Sequence, residues 1–184
     1  NRPLELSVPD IAAAIMPEVS ALMLPKIMGP EHVKLLSEVV AVREAILGIP
    51  LGTTRFICVV ETPDALPNLN AIAAASPRVA AIGVGAEDLC TELEAVPGAD
   101  SLYVDAMMAV AAARANGVLP MGSVGKFADF SDLEGYRSSL KRSRSLGFTL
   151  TACIHPAHVP IINEEYGVAP ADADRARRLI AAFD

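Results

Sequence analysis

The sequence is poor in aromatic residues and in clustered positive charge. Aromatic residues make up 4% of its 184 residues, tryptophan is absent, and 22 acidic residues outnumber 15 basic ones, for a net charge of −7. Nucleic-acid surfaces need clustered Lys and Arg, often with aromatic platforms for the bases, so nucleic acid is excluded as a partner. The one basic run, Lys141, Arg142 and Arg144, falls in a helical pattern and is interpreted as a solvated face.

Long apolar runs and paired cysteines are lacking as well. Every apolar stretch is shorter than the roughly 20 residues that cross a bilayer, and no basic, apolar-cored signal peptide opens the sequence, so no membrane association is expected. The three cysteines, Cys58, Cys90 and Cys153, are far apart and form neither a disulfide framework nor a zinc pattern. We expect them to be buried, reduced thiols, which suits a cytoplasmic protein.

The composition that remains, 52% hydrophobic and 20% charged, is typical of a compact enzyme and predicts a single domain over residues 1–184. Short apolar runs alternate with helical patterns, and several runs are almost wholly apolar, as strands of a parallel sheet should be. Ser131 and Glu134 have capping-box spacing at the start of one helix. The predicted strands are 21–24, 55–60, 79–84, 118–121 and 148–154, and the predicted helices are 31–47, 102–115, 131–146 and 175–183.

Polar residues follow the predicted strands at their carboxyl ends: Lys26, Glu61, Asp88, Ser123 and His155. A closed barrel gathers its site from many strand ends, whereas an open doubly wound sheet concentrates it at one switch point. Gly83-Val84-Gly85 lacks the third glycine of a nucleotide-binding fingerprint. The sequence therefore predicts an α/β fold, a (β/α)8 TIM barrel. Since such a barrel needs eight strands and about 250 residues, three strands are expected to lie outside this sequence.

Five motifs at the strand ends occur in order at sensible intervals. Together they resemble the HpcH/HpaI aldolase and citrate lyase beta-subunit family, particularly its CoA-ester lyase branch, over essentially the whole chain. The motifs are Leu24-Pro25-Lys26, Val60-Glu61-Thr62, Gly85-Ala86-Glu87-Asp88-Leu89, Asp129-Phe130-Ser131-Asp132-Leu133 and Ile154-His155-Pro156.

The resemblance implies an incomplete barrel that comprises strands four to eight of the family fold. The family's substrate-binding arginine would precede Asn1, and the lid aspartate that relatives take from a neighbouring subunit would follow Asp184. The catalytic residues are therefore expected to lie outside this sequence. The resemblance also implies a homo-oligomer, a trimer or a hexamer.

Glu61 and Asp88 are the predicted metal ligands. Both follow buried strands, neighbouring parallel strands lie roughly 5 Å apart, and Mg²⁺ prefers one or two protein carboxylates. The resemblance assigns Mg²⁺ or Mn²⁺ to the same two positions. The structural alternative is that both acids merely occupy the first turns of the following helices, where negative charge is favoured.

The resemblance also implies a seat for a substrate carboxylate at the backbone N–H groups of Glu87 and Asp88, where a helix start would supply free donors. Lys26 has three possible roles: a Schiff-base amine, a contact to substrate or to a side-chain network, and a plain structural residue. Pro-Lys lysines of the family suggest the second role. The roles of His155, of His158, which stands where the family often has Gln, and of Lys126 stay open.

The function that follows from the resemblance is a magnesium-dependent carbon–carbon lyase of the citrate lyase beta-subunit type. Its substrate would be a 3-hydroxyacyl-CoA such as citramalyl-CoA or malyl-CoA, cleaved to acetyl-CoA and a 2-oxo acid. The alternatives are a CoA-free pyruvate-type hydroxy-acid aldolase and a malyl-CoA thioesterase. A non-catalytic binding subunit is disfavoured, because two buried carboxylates would have no purpose there.

Overall fold

Helices and strands alternate along the chain up to residue 120, and the elements described after it are helices. The computed structural model describes residues 4–96, 100–125, 131–168 and 170–183. Within these ranges no helix is long and apolar enough to span a lipid bilayer. The strands are β1 (Ala21–Leu24), β2 (Arg55–Val60), β3 (Val79–Val84) and β4 (Leu119–Pro120). The α-helices are α1 (Leu4–Ala14), α2 (Pro30–Leu47), α3 (Leu69–Ala74), α4 (Ala86–Glu92), α5 (Tyr103–Ala115), α6 (Leu133–Ser145), α7 (His158–Tyr166) and α8 (Pro170–Phe183). Two 3₁₀ helices span Pro63–Asn68 and Asp100–Leu102.

The four strands form one parallel sheet in chain order, β1-β2-β3-β4. A parallel bridge between Met121 and Leu150 continues this order beyond β4. The bounds of β1, β2 and β3 coincide with the predicted strands. Because all strands run the same way, their carboxyl ends share one edge of the sheet, and the residues that follow them are brought together there.

The two faces of the sheet are covered differently. Phe56, Cys58 and Val60 of β2 pack with residues of α1, α2, α3 and α5 in the largest core cluster. The alternate residues Ile57 and Val59 face the other side and contact only a small cluster that includes Ala81, Met121 and Leu150. A doubly wound sheet carries helices on both faces, whereas a barrel carries them outside. The predicted barrel architecture is confirmed.

The structure corrects the later strands. The run 118–121 forms a strand only at Leu119–Pro120, since Pro120 has no N–H to donate and Gly122 turns the chain with φ +137°. The predicted strand 148–154 is wrong in extent: within the described residues it contributes one bridge, at Leu150, while Phe148 N donates to Ser143 O of α6 at 3.2 Å.

Two further expectations need correction. Asp132, not Ser131, caps α6, because its side chain accepts a hydrogen bond from Gly135 N at 2.8 Å. Cys58 and Cys90 are buried and free as predicted, and burial raises the pKa of the Cys58 thiol to about 12. The prediction is wrong for Cys153, which is half-buried and lies outside any strand.

An ion pair is buried at the opposite edge of the sheet, where the strands begin. Glu44 of α2, 0% exposed, meets Arg78, which precedes β3, at 2.6 Å between Oε2 and Nη2. Glu44 also accepts hydrogen bonds from Gly52 N at 2.9 Å and Thr54 N at 2.7 Å. Arg78 donates to the Thr54 carbonyl at 3.0 Å. The pair thus joins α2, the loop before β2 and the start of β3 by charge-assisted hydrogen bonds.

Candidate metal and carboxylate site

Lys26, Glu61 and Asp88 meet at the carboxyl edge of the sheet. Glu61 follows β2 directly and continues the alternation of Ile57 and Val59, which places its side chain on the inner face. Asp88 lies in the first turn of α4, for which Gly85 is the N-cap residue directly after β3. Three chain segments that are distant in sequence therefore supply one cluster.

Lys26 contacts both carboxylates. Its backbone N–H donates to Glu61 Oε2 at 2.7 Å, and its ammonium Nζ lies 2.9 Å from Asp88 Oδ2. The residue has φ +50°, a left-handed conformation that is uncommon for a residue with a side chain. This backbone conformation allows the N–H and the side chain of one residue to reach two different acids.

The surroundings raise the pKa values of both Glu61 and Lys26. Burial raises the pKa of the half-buried Glu61 carboxyl, while the hydrogen bond from Lys26 N–H lowers it and the negative charge of Asp88 raises it further. The hydrogen bond to Asp88 raises the pKa of Lys26 above its ordinary value. A Schiff-base lysine must be neutral to attack a carbonyl. The contacts of Lys26 therefore favour the network role over the imine role.

Gly85 leaves the space that the Glu61 side chain occupies. A Cβ atom built on Gly85 would lie 2.8 Å from Glu61 Cδ and closer still to Cγ and Oε1. The backbone of Gly85 has φ −87° and ψ 102°, which any residue adopts, so the glycine is required for space and not for conformation. Gly85 N donates to Val60 O at 2.9 Å, which fixes the distance between the two strand ends.

Changing Gly85 to alanine is expected to displace the Glu61 carboxylate with little loss of stability. The clash falls on a side-chain terminus that can rotate away, and the backbone conformation suits alanine. The affinity of the full-length protein for Mn²⁺, measured by water-proton relaxation, should fall about 10- to 100-fold, as when other supporting residues of metal sites are lost.

Gly29→Ala is the matched control for this substitution. Gly29 has extended backbone at φ 172°, and a Cβ atom added there would meet no heavy atom within 4 Å. Its Mn²⁺ affinity should equal that of the unchanged protein. Equal affinities for Gly85→Ala and Gly29→Ala would show that Glu61 does not need its present position to bind the ion.

The donor set fits a magnesium-type ion. Within the described residues no group of three or more His, Cys, Asp and Glu side chains could hold a metal. Mg²⁺ needs fewer protein ligands, since it keeps several waters and takes one or two carboxylates. Glu61 and Asp88 give one oxygen each to Lys26, which leaves the second oxygen of each acid for a cation.

The four remaining candidate residues have different surroundings. Ser123 is half-buried and lies 3.5 Å from the Thr151 hydroxyl, near the same edge of the sheet. His155 is exposed in a turn, where its Nδ1 accepts a hydrogen bond from Ala157 N at 3.2 Å. His158 is buried and its ring stacks on Tyr136 at 3.8 Å between centroids, so it belongs to the packing of α6 against α7. Lys126 lies outside the described residues.

Comparison with known protein families identifies the family of this chain. The family described as HpcH/HpaI aldolase/citrate lyase matches residues 4–156, which include all three members of the cluster. The chain belongs to this family. The resemblance inferred from the strand-end motifs is confirmed.

Curated relatives in the HpcH/HpaI aldolase/citrate lyase family have lyase and thioesterase names. Citrate lyase subunit beta of Leuconostoc mesenteroides subsp. cremoris is 27% identical over 95% of this chain and 58% of its own length. L-malyl-CoA/beta-methylmalyl-CoA lyase of Rhodobacter capsulatus is 29% identical over 90% of this chain and 57% of its own. (3S)-malyl-CoA thioesterase of Cereibacter sphaeroides is 30% identical over 95% and 57%. The chain thus spans somewhat more than half the length of these relatives.

Solved structures show the same fold. RipC from Yersinia pestis aligns with a TM-score of 0.77 at 27% identity, covering 90% of this chain and 73% of its own. CitE from Mycobacterium tuberculosis, in complex with magnesium, acetoacetate and coenzyme A, aligns with a TM-score of 0.65 at 26% identity, covering 89% and 57%.

The sequence alone does not reveal two features of the site. It predicts a contact of Lys26 to substrate or to a side-chain network, but nothing in the spacing indicates that its backbone and its side chain bind different acids. It indicates Gly85 only as a small residue before a helix, whereas its contact is with Glu61. The usable signal is weak: Gly83 and Gly85, two residues apart at the carboxyl end of β3, leave that end of one face without side chains.

Proposed function

We propose that the protein containing this chain is a divalent-metal-dependent carbon–carbon lyase. Its substrate would be a 3-hydroxyacyl-CoA of the malyl-CoA or citramalyl-CoA type, cleaved to acetyl-CoA and a 2-oxo acid. The observation that carries the proposal is the convergence of Glu61 and Asp88 on Lys26 at the carboxyl edge of the sheet. The family match and the lyase names of the relatives support it.

Glu61 and Asp88 would hold Mg²⁺ or Mn²⁺ through their second oxygens. When bound, the cation offsets the negative charge that develops on oxygen as the carbon–carbon bond breaks. The Glu87 and Asp88 N–H groups lie in the first turn of α4, where the helix has no carbonyl partner for them. We propose that they donate to the substrate carboxylate.

We also propose that further strands of the full-length protein complete the barrel around the inner face. Met23 of β1 and Leu119 of β4 pair in register with inner-face residues, yet they are 48% and 49% exposed. A closed barrel fills its interior with such side chains. Residues 1–184 would then be one part of a single barrel domain.

The test is product analysis on the full-length protein. Malyl-CoA and citramalyl-CoA should yield a 2-oxo acid, trapped as its phenylhydrazone, together with acetyl-CoA and no free thiol. EDTA should abolish the reaction, and Mg²⁺ or Mn²⁺ should restore it. Borohydride added with substrate should leave Lys26 unmodified, because its ammonium is paired with Asp88. Full activity in EDTA, or a borohydride adduct on Lys26, would contradict the proposal.

The runner-up is a malyl-CoA thioesterase, which the 30% identity to the Cereibacter sphaeroides enzyme supports. Hydrolysis of the thioester releases free CoA thiol and malate, without a 2-oxo acid. A thiol signal that rises without phenylhydrazone would establish this function instead. Cleavage of a free hydroxy acid, with no turnover of either CoA ester, would indicate the CoA-free aldolase.

A further inference from the structure

Lys26 shares the two carboxylates in a specific way. Its backbone N–H donates to Oε2 of Glu61, and its ammonium forms an ion pair with Oδ2 of Asp88. No hydrogen bond to Oε1 of Glu61 or Oδ1 of Asp88 occurs in the part of the chain that the structure describes. One residue therefore fixes the orientation of both acids and leaves one oxygen of each for another ligand.

The backbone conformation of Lys26 is maintained at some cost. A left-handed φ of +50° is unfavourable for lysine. Hydrogen bonds from two consecutive backbone N–H groups hold the chain in this conformation. Lys26 N–H donates to Glu61, and the next N–H, that of Ile27, donates to Val59 O at 3.1 Å. Ile27 itself is fully buried, which anchors the turn. The position of the ammonium beside Asp88 thus follows from a fixed turn.

The charge of Lys26 has a second consequence. An ion bound to Asp88 would lie within about 5 Å of the ammonium that bonds the same carboxylate. Two positive groups at that separation repel each other, and the repulsion is doubled for a divalent ion. Lys26 therefore stabilises the pair of acids without an ion and opposes the ion when it binds.

We propose that Lys26 positions Glu61 through its backbone N–H, while its ammonium lowers the affinity of the metal site and keeps the bound cation exchangeable. The inference rests on the proposed function, since it takes Glu61 and Asp88 as the metal ligands. It differs from a substrate contact or a Schiff base, because its effect is on the metal alone and precedes any substrate.

The test is Mn²⁺ binding to the full-length Lys26→Met protein, measured by water-proton relaxation. Methionine keeps the backbone N–H to Glu61 and removes only the ammonium. Mn²⁺ should bind about tenfold more tightly than in the unchanged protein, from the repulsion removed. Lys26→Arg, which keeps the charge, should bind as the unchanged protein does. The melting temperature without metal should fall in Lys26→Met, and its rise on adding saturating Mn²⁺ should be larger.

Lys34→Met is the matched control, since Lys34 is an exposed lysine paired with Glu31 at 2.9 Å. Its Mn²⁺ affinity should not change. Unchanged or weaker binding by Lys26→Met would overturn the inference while leaving the metal site in place. If the unchanged protein binds no Mn²⁺, the proposed function and the inference both fail. Lys26→Gln provides the same neutralisation should Lys26→Met not fold.

Discussion

Replacing Glu61 with glutamine is expected to lower turnover of the full-length protein by about 100- to 1000-fold, the usual cost of losing a group that stabilises developing charge. The amide oxygen can still accept the hydrogen bond from Lys26 N–H, which is 2.7 Å long in the present structure. The substitution therefore preserves the local contact and removes only the negative charge that a hard cation requires. The measurement is the initial rate of 2-oxo acid release from malyl-CoA at saturating Mg²⁺.

Asp64→Asn is the control for this experiment. Asp64 is exposed in the 3₁₀ helix three residues beyond Glu61, and it makes the same change from acid to amide. Its rate should match that of the unchanged protein. A Glu61→Gln protein that keeps its full rate would show that the charge of Glu61 has no part in the reaction.

Replacing Arg78 with methionine is expected to lower the free energy of unfolding by about 3–5 kcal/mol, as found when one partner of a buried ion pair is removed. The substitution leaves Glu44, which is 0% exposed, without its cation, although the N–H donors of Gly52 and Thr54 remain. Urea denaturation of the full-length protein measures the change. The surface substitution Lys34→Met, which breaks an exposed ion pair, should cost less than about 1 kcal/mol.

The same ion pair predicts a pH dependence. The hydrogen bonds from Arg78 and from the Thr54 and Gly52 N–H groups outweigh the effect of burial and lower the pKa of Glu44 from 4.5 to about 2. Because the folded-state pKa lies below the unfolded one, the contribution to stability is complete above pH 4.5 and is lost as the pH falls toward 2. The stability difference between the unchanged protein and Glu44→Gln should shrink over that range. A constant difference would mean that Glu44 titrates normally in the folded protein.

The sequence predicted the bounds of three strands correctly. The apolar runs 21–24, 55–60 and 79–84 end where the strands end. Residues 148–154 include Thr149 and Thr151 and form one bridge, so the pattern overestimated that strand. An apolar run indicates burial, and burial alone does not provide the hydrogen bonds of a strand.

The failure to predict two helices, α1 and α7, has a local explanation. Leu4–Ala14 contains Pro9, and His158–Tyr166 contains Pro160, and proline is unfavourable inside a helix. Pro160 lies in the first turn of its helix, where the missing N–H costs little. Packing against neighbouring helices compensates in both cases, since α1 contacts α2 and α7 contacts α6.

The candidate site could be predicted in its members but not in its contacts. Strand order alone brings Glu61 and Asp88 to one edge, because carboxyl ends of parallel strands meet there. The contacts depend on the left-handed turn at Lys26 and on the space above Gly85, and neither follows from an apolar pattern. One feature of the sequence indicates that Glu44 is unusual. It is an acid in the last turn of α2, where the helix dipole disfavours negative charge.

The number of Mn²⁺ ions bound by each chain of the full-length protein tests the central claim most directly. The claim is that Glu61 and Asp88 together hold one divalent cation. Titration should give one tight site in the unchanged protein, and that site should be lost in Glu61→Gln, in Asp88→Asn and in the double variant alike. A double variant that still binds one Mn²⁺ with unchanged affinity would place the metal elsewhere and contradict the account.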